Sequence, residues 1–155
     1  EVEASKALET ALTKAREAAK THRLAGDRVV YKVIDEIGLN MEKAEKLASA
    51  KKAGEAEDIV RSTIEKGVHN GLLDENTINM MGYDYLGKEN YPMALLVFRL
   101  NTVLYPKSAN VFDSMGEAYM KSGDKANAIL NYRKSLDMNP KNTNAAETLK
   151  KLGAM

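Results

Sequence analysis

Residues 75–142 contain one pattern written twice, and this repetition constrains the fold more than any other feature of the chain. When 75–108 is laid over 109–142 without gaps, identical residues coincide at Asn76/Asn110, Met81/Met115, Gly82/Gly116, Tyr85/Tyr119, Ala94/Ala128, Leu96/Leu130, Arg99/Arg133, Pro106/Pro140 and Lys107/Lys141. Most other apolar positions match in size. A fixed period of this length predicts a repeat architecture, in which each unit solves the same packing problem.

Each copy carries two apolar stripes with helical spacing. Phe112, Met115, Gly116 and Tyr119 stand at i, i+3, i+4 and i+7, which places them on one side of an α-helix, and Ile78 begins the same stripe in the first copy. A second stripe follows in each copy, and Pro106 and Pro140 close the units. The sequence therefore predicts an all-α fold made of helix hairpins.

Gly82 and Gly116 lie inside the first predicted helix of each unit. Glycine in a helix interior costs about 0.5–1 kcal/mol relative to alanine, so some packing gain must offset it. We expect a close approach of the second helix there, with Ala94 and Ala128 as its small contact residues.

This pattern resembles the tetratricopeptide repeat, whose motif is a large residue, Leu-Gly, Tyr, then Ala, an aromatic residue, Ala and Pro. Met115 takes the place of leucine, and Asn101 and Ser135 take the place of the last small residue. Asn101 is the largest departure, which predicts a looser first repeat. The resemblance implies an α-α superhelix of helix hairpins with a C-terminal capping helix. We place Ala146, Leu149 and Leu152 on the buried face of that last helix.

The sequence of residues 55–152 also resembles the short tetratricopeptide tails at the C-termini of bacterial serine hydrolases, both penicillin-recognising and esterase types. That resemblance implies a catalytic domain upstream. The chain begins at Glu1, and we expect it to be a fragment or a processed product.

The N-terminal half is helical in pattern but does not repeat cleanly. An Ala-rich stripe runs from Ala4 to Ala18, a second stripe ends at Gly38, and Asp27 and Asn40 are predicted N-caps. The predicted organisation is 1–70 as degenerate helical pairs continuing the superhelix, 75–108 and 109–142 as two repeats, and 143–155 as a capping helix and tail.

Candidate catalytic and metal-binding groups are few. His22 and His69 are the only histidines, and neither has a second ligand at metal spacing. The chain has no cysteine and no Gly-x-Ser-x-Gly elbow, and the Ser-x-x-Lys matches at Ser49 and Ser122 lack partner motifs. We therefore expect no enzyme activity, no metal and no cofactor in these residues.

Charge and hydropathy argue against two kinds of binding partner, nucleic acids and the membrane interior. Net charge is +1, without the basic bias of nucleic-acid binders, and no apolar run is long enough to span a bilayer. The sequence is compatible with a cytoplasmic protein and, for a hydrolase tail, with a periplasmic or secreted one. It is also compatible with self-association.

The remaining candidate is a protein-binding surface. In the resembled family the first helix of each repeat forms the concave wall, on which a peptide or partner domain lies. Here that face carries Asn76, Asn79, Met80, Tyr83, Leu86, Asn110, Asp113, Ser114, Glu117, Met120 and Lys121. The Lys/Asn/Arg clamp for an acidic C-terminus is absent, and acidic residues lie nearby, which favours a neutral or basic peptide. Met80, Tyr83 and Leu86 have the alternative of packing on the preceding helix.

The sequence thus predicts a non-enzymatic interaction module that docks a peptide or partner domain. The alternative is the accessory tail of a serine hydrolase whose catalytic domain lies outside this chain.

Overall fold

A computed structural model of the protein describes residues 13, 14, 16, 17 and 27–154. Residues 27–154 form seven helices and no strand, which confirms the all-α prediction. The helices are α1 (Asp27–Ser49), α2 (Ala53–His69), α3 (Glu75–Gly87), α4 (Tyr91–Leu104), α5 (Ala109–Lys121), α6 (Lys125–Met138) and α7 (Thr143–Lys151). Consecutive helices pack as hairpins, α1 with α2, α3 with α4 and α5 with α6, and α7 packs on α6.

Short polar side chains begin four of these helices. Asp74 accepts a hydrogen bond of 2.8 Å from the backbone N–H of Thr77, and the Thr77 hydroxyl accepts one from the Asp74 N–H. Asp124 and Asn142 accept the corresponding bonds at 3.0 and 3.1 Å, and Asn90 accepts a longer one at 3.4 Å. These caps satisfy N–H groups that the first helical turn leaves unpaired.

The predicted break at Gly38 is wrong. Helix α1 runs without interruption from Asp27 to Ser49, so Asn40 lies inside it and is not an N-cap. Ile34 and Ile37 before the glycine and Met41 and Ala44 after it are all buried, so one apolar stripe continues through the glycine. That burial offsets the helix propensity lost at Gly38. The predicted Ala-rich stripe before α1 lies outside the described residues.

Gly82 and Gly116 make room for aromatic rings on the second helix of each hairpin. A Cβ added at Gly82 would lie 2.5 Å from Cε1 of Phe98, and one added at Gly116 would lie 3.1 Å from ring atoms of Tyr132. The expected close approach is confirmed, but its nearest partner is the aromatic ring and not Ala94 or Ala128.

The last small position of each repeat carries a buried hydrogen bond. Asn101 Nδ2 donates to the Glu75 carbonyl at 3.1 Å, and Ser135 Oγ donates to the Ala109 carbonyl at 2.8 Å. Both bonds span 26 residues and both donor residues are fully buried. The predicted loosening at Asn101 is therefore not seen, since the side chain ties α4 to the start of α3.

The two junctions between hairpins use different helices. Helix α5 packs on α3 and α4, whereas the first hairpin packs through α1 and α2 on α4. Asn90 Nδ2 donates to Glu45 Oε1 at 3.2 Å, and Arg99 Nη1 of α4 lies 3.8 Å from Glu57 Oε2 of α2. The assignment of 1–70 as further units of the superhelix stays a prediction, as do the repeat boundaries.

The capping helix α7 buries Ala145 and Leu149. Ala146 and Leu152, which the sequence placed on the buried face with Leu149, are only partly covered. Adjacent helical positions differ in direction by about 100°, so a small rotation of the helix decides which alanine faces α6.

Candidate functional site

The predicted surface residues lie on α3 and α5, which pack side by side. The residues that remain at least partly accessible define what we call the α3–α5 face: Asn76, Asn79, Met80, Tyr83, Asn110, Asp113, Glu117, Met120 and Lys121. Leu86 is only 3% exposed and Ser114 only 1%. These two residues are therefore buried and do not line the face, which corrects their place in the predicted surface.

Tyr83 joins α3 to α5 at the centre of this face. Its hydroxyl lies 2.9 Å from Glu117 Oε2, to which it donates, and 3.3 Å from Ser114 Oγ. Its ring meets that of Phe98 edge to face, with the centroids 5.1 Å apart. Tyr83 thus turns toward the following helix, and not toward the preceding one as the alternative interpretation had it.

The protonation of Tyr83 is secured by its surroundings. Burial, followed by the negative charge of Glu117, raises the pKa of the phenol well above its ordinary value of 10.0, although the bond with Ser114 acts in the opposite direction. The hydroxyl consequently keeps its proton at neutral pH and serves as a hydrogen-bond donor. It acts as a fixed link between helices.

Two carboxylates give the face a negative centre. Asp113 accepts hydrogen bonds from Asn142 Nδ2 at 2.8 Å and from Asn144 Nδ2 at 3.0 Å, which brings the start of α7 beside α5. Glu117 also forms an ion pair of 3.1 Å with Lys121 through its other oxygen. The amide donors orient Asp113 without neutralising its charge.

The asparagines of the face retain hydrogen-bonding capacity. Asn110 Nδ2 makes a long bond of 3.4 Å to Glu75 Oε1, and Asn76 is exposed. The side-chain oxygen of Asn79 has no partner among the described residues, but it is buried and therefore does not add to the capacity that a ligand can reach. An asparagine amide can both donate and accept, which suits recognition of a peptide backbone.

Apolar contact is available at both sides of this polar centre. Met80 on α3 is 37% exposed and Met120 on α5 is 40% exposed. Methionine is flexible and adapts to irregular apolar surfaces. The face can therefore combine charge, amide hydrogen bonds and adaptable apolar contact.

The other candidates from the sequence do not assemble into a reactive centre. His69 lies exposed at the end of α2, and His22 falls outside the described residues. The Ser49 hydroxyl donates to the Glu45 carbonyl within α1, and the Ser122 hydroxyl, directly after α5, donates to the Tyr119 carbonyl. In the described part of the chain, no group of three or more acidic, histidine or cysteine side chains could hold a metal ion. None of the described helices combines the length and hydropathy needed to cross a membrane.

A cleft of about 160 Å³ between α2 and α4 was not predicted from the sequence. Its apolar wall consists of Val60, Leu96, Leu100 and Val103, and its rim consists of Glu57, Arg61, Glu65 and Arg99. One available signal is the composition of α4, which is apolar on more sides than α6 at the equivalent positions. Such a helix is normally covered on two sides, and here α5 and the first hairpin cover it.

Comparison with known proteins yields structural likeness only. No protein-family model matches the chain, and no curated protein matches it. Among solved structures, it is similar to the first tetratricopeptide domain of Spaghetti (RPAP3) bound to the HSP90 peptide SRMEEVD. That match has a TM-score of 0.51 and 18% identity, and it covers 77% of this chain and 91% of the other.

A second solved structure, MamA MSR-1 C2, covers 95% of this chain and 87% of its own, at a TM-score of 0.48 and 15% identity. That likeness is too low to bear on the fold. The chain has a tetratricopeptide-type fold. Three observations lead to this conclusion: the helix hairpins, the contacts between glycines and aromatic rings, and the structural match to the Spaghetti domain.

Proposed function

We propose that this protein is an interaction module that docks a peptide or an extended segment of a partner on the α3–α5 face. The observation that carries the proposal is the grouping on one face of an acidic centre, exposed asparagine amides and two exposed methionines. The Tyr83 link holds the two helices in register, so the surface is formed before a ligand arrives. A preformed surface loses less entropy on binding.

Charge favours a neutral or basic ligand. Asp113 and Glu117 lie at the centre, Glu75 lies at one end, and Lys121 is paired with Glu117. The Spaghetti domain is bound to a peptide that ends in acidic residues, SRMEEVD. An acidic peptide of that kind would meet like charge here, which disfavours binding.

The proposal is tested by selecting binders from a library of random peptides of roughly ten residues, long enough to cross three adjacent helices. We expect the retained peptides to be enriched in lysine and arginine, and their affinity to fall with added salt. Retention of no peptide, or enrichment of acidic ones, would contradict the proposal.

Two sets of variants locate the site. Glu117→Gln keeps an acceptor for Tyr83 while it removes the charge, and we expect a selected basic peptide to bind about twofold to fivefold more weakly. Asp137→Asn removes an exposed charge on α6 and is the matched control. Asn79→Ala combined with Asn110→Ala should weaken binding while the melting temperature changes by only a few degrees.

The alternative is an accessory tail of a bacterial serine hydrolase, and it rests only on the resemblance of residues 55–152 to such tails, since no family model and no curated protein matches the chain. Its test is the mass of the native polypeptide, measured by immunoblotting the source cell with an antibody to residues 75–155. A band far above 17.1 kDa would favour the tail, and a band near that mass would exclude it.

A further inference from the structure

The cleft between α2 and α4 is part of a longer groove. A second cavity of about 210 Å³ shares lining residues with the cleft and extends it to Ala53 and Pro92, where the two helices begin. Glu65 and Val103 are the last residues of their helices to line the cleft, so they lie toward its opposite end. The two helices therefore run in the same direction on either side of the groove.

Val103 leaves the apolar wall of this groove open to solvent. It is 66% exposed, whereas Leu100, one turn earlier, is only 8% exposed. In the next repeat the equivalent positions, 34 residues later, carry the charged residues Lys134 and Asp137. The first hairpin accounts for the apolar residue at Leu100, which it helps to cover, but not for the one at Val103. Val103 continues an apolar wall, and an uncovered extension of such a wall marks a contact surface.

Charged side chains follow the groove on the exposed side of α2. Glu57, Arg61 and Glu65 are spaced four residues apart, and all three line the cleft. Glu57 Oε2 lies 3.8 Å from Arg99 Nη1. Among the described residues, Arg61 pairs with its neighbour Asp58, and Glu65 has no ion-pair partner. An exposed positive and an exposed negative group therefore stand one helical turn apart at the Val103 end of the cleft.

This arrangement is complementary to itself under twofold symmetry. In a twofold contact, if one residue meets a second residue of the other copy, the second also meets the first. An axis beside Val103, level with the turn between Arg61 and Glu65, sets the two α2 helices antiparallel. Val103 then meets Val103 of the second copy, and Arg61 of each copy lies opposite Glu65 of the other. The charges are matched twice by one sequence, which favours a second copy of the chain over an unrelated partner.

We propose that the cleft between α2 and α4 is the contact surface of a symmetric dimer, in which a second copy of this chain covers Val103. The contact is distinct from the α3–α5 face, because neither α2 nor α4 contributes to that face. The dimer consequently stands or falls independently of the proposed peptide binding.

The first test is the mass of the full chain in solution, measured by sedimentation equilibrium at concentrations up to about 1 mM. High concentrations are needed because a contact built on one cleft is small, and small interfaces bind weakly. We expect the mass to rise from 17.1 kDa toward twice that value, and the association to weaken with added salt. A mass that stays at 17.1 kDa throughout would overturn the proposal and would leave a different protein as the occupant of the cleft.

Val103→Asp tests the apolar part of the contact, since it introduces the residue that the next repeat carries at Asp137. We expect the dissociation constant of the dimer to rise at least about tenfold, because two buried carboxylates then face each other. Leu39→Asp is the matched control, because Leu39 on α1 is 67% exposed and does not line the cleft. It should change the constant less than about twofold. Melting curves of both variants separate lost association from lost folding.

The charge pair is tested by two variants, separately and mixed. Arg61→Glu and Glu65→Arg each place like charges opposite one another, and we expect each to weaken its own dimer about threefold to tenfold. A mixture of the two variants should associate more tightly than either alone, because each supplies the charge that the other lacks at both positions. Native mass spectrometry of a mixture with one variant isotopically labelled counts the mixed dimers.

The results distinguish this surface from any other. A wild-type dimer that Val103→Asp affects no more than Leu39→Asp does would use another surface, which would overturn the proposal. Mixed dimers at the statistical share of one half would show that Arg61 and Glu65 do not meet across the axis. Loss of association at Val103 together with a preference for mixed dimers supports the proposal.

Discussion

The hydroxyl of Tyr83 donates a hydrogen bond of 2.9 Å to the carboxylate of Glu117, which is the residue at the same position of the following repeat. The same position of the repeat therefore supplies the donor in the first copy and the acceptor in the second. A tyrosine in both copies, or a glutamate in both, would not make this bond. The divergence of the two repeats at this position creates the link between them.

We expect Tyr83→Phe to destabilise the protein by about 1–2 kcal/mol. The change removes the bond to Glu117 while the ring keeps its edge-to-face contact with Phe98. Urea denaturation measures the effect, and Tyr119→Phe, another half-buried tyrosine on the neighbouring helix, is the control. Equal losses in the two variants would show that the link contributes nothing specific.

Alanine substitutions at three glycines should change the stability of the protein by amounts that follow a defined order. Gly82→Ala places a Cβ 2.5 Å from the Phe98 ring, and we expect a loss of about 1–3 kcal/mol from overpacking. Gly116→Ala meets Tyr132 at 3.1 Å and should cost less. Gly38→Ala meets nothing within 4 Å and should gain about 0.5–1 kcal/mol from helix propensity. Thermal melts of the three variants give the order, and a stable Gly82→Ala protein would refute the packing argument.

The buried bond at the end of each repeat predicts a difference between two variants at one position. Asn101→Ala leaves the Glu75 carbonyl without its donor and opens a cavity, so we expect a loss of about 2–3 kcal/mol. Asn101→Ser keeps a donor, as Ser135 does, and removes the side-chain oxygen that has no partner among the described residues. It should cost about 1 kcal/mol less than alanine. Equal stabilities in chemical denaturation would mean that the donor is unimportant.

Leu96 and Leu130 occupy the same position in the two repeats but have different surroundings. The first hairpin partly covers Leu96 on α4, whereas Leu130 on α6 is 60% exposed. We expect Leu96→Ala to cost about 1–2 kcal/mol and Leu130→Ala less than about 0.5 kcal/mol. Similar values in urea titrations would contradict the docking of α1 and α2 on α4.

Stability should fall in alkaline solution through the buried tyrosines. Burial, aided by Asp113 and Glu117, raises the pKa of Tyr132 to about 12 from its ordinary 10.0. The folded protein then holds a proton that the unfolded chain releases, so the free energy of unfolding decreases as the pH rises above 10 and until it passes about 12. Tyr132→Phe, which copies the ring of Phe98, should show a shallower decrease over that range in denaturation curves. An unchanged slope would show that Tyr132 does not carry the effect.

Local geometry explains what the sequence predicted well. The spacing of Met115, Gly116 and Tyr119 reflects the number of residues per helical turn, which is independent of the rest of the fold. The repeat period likewise predicted that Gly82 and Gly116 would meet a close neighbour on the second helix, and both do. The all-α hairpin architecture could be predicted from these features alone. The pattern gave weaker guidance at Gly38, because tertiary burial outweighs a single unfavourable residue.

The tertiary structure decided how the repeats meet. Three features could not be read from the spacing of residues within a helix. They are the bond from Tyr83 to Glu117, the burial of Ala145 in place of Ala146, and the contact of the first hairpin with α4. Each depends on the relative rotation and translation of whole helices, which side chains from several elements set together. The amino-acid sequence by itself determined the helix hairpins of residues 75–142 and the apolar stripes along them. The buried side of α7 and the composition of the α3–α5 face were decided only when the helices packed.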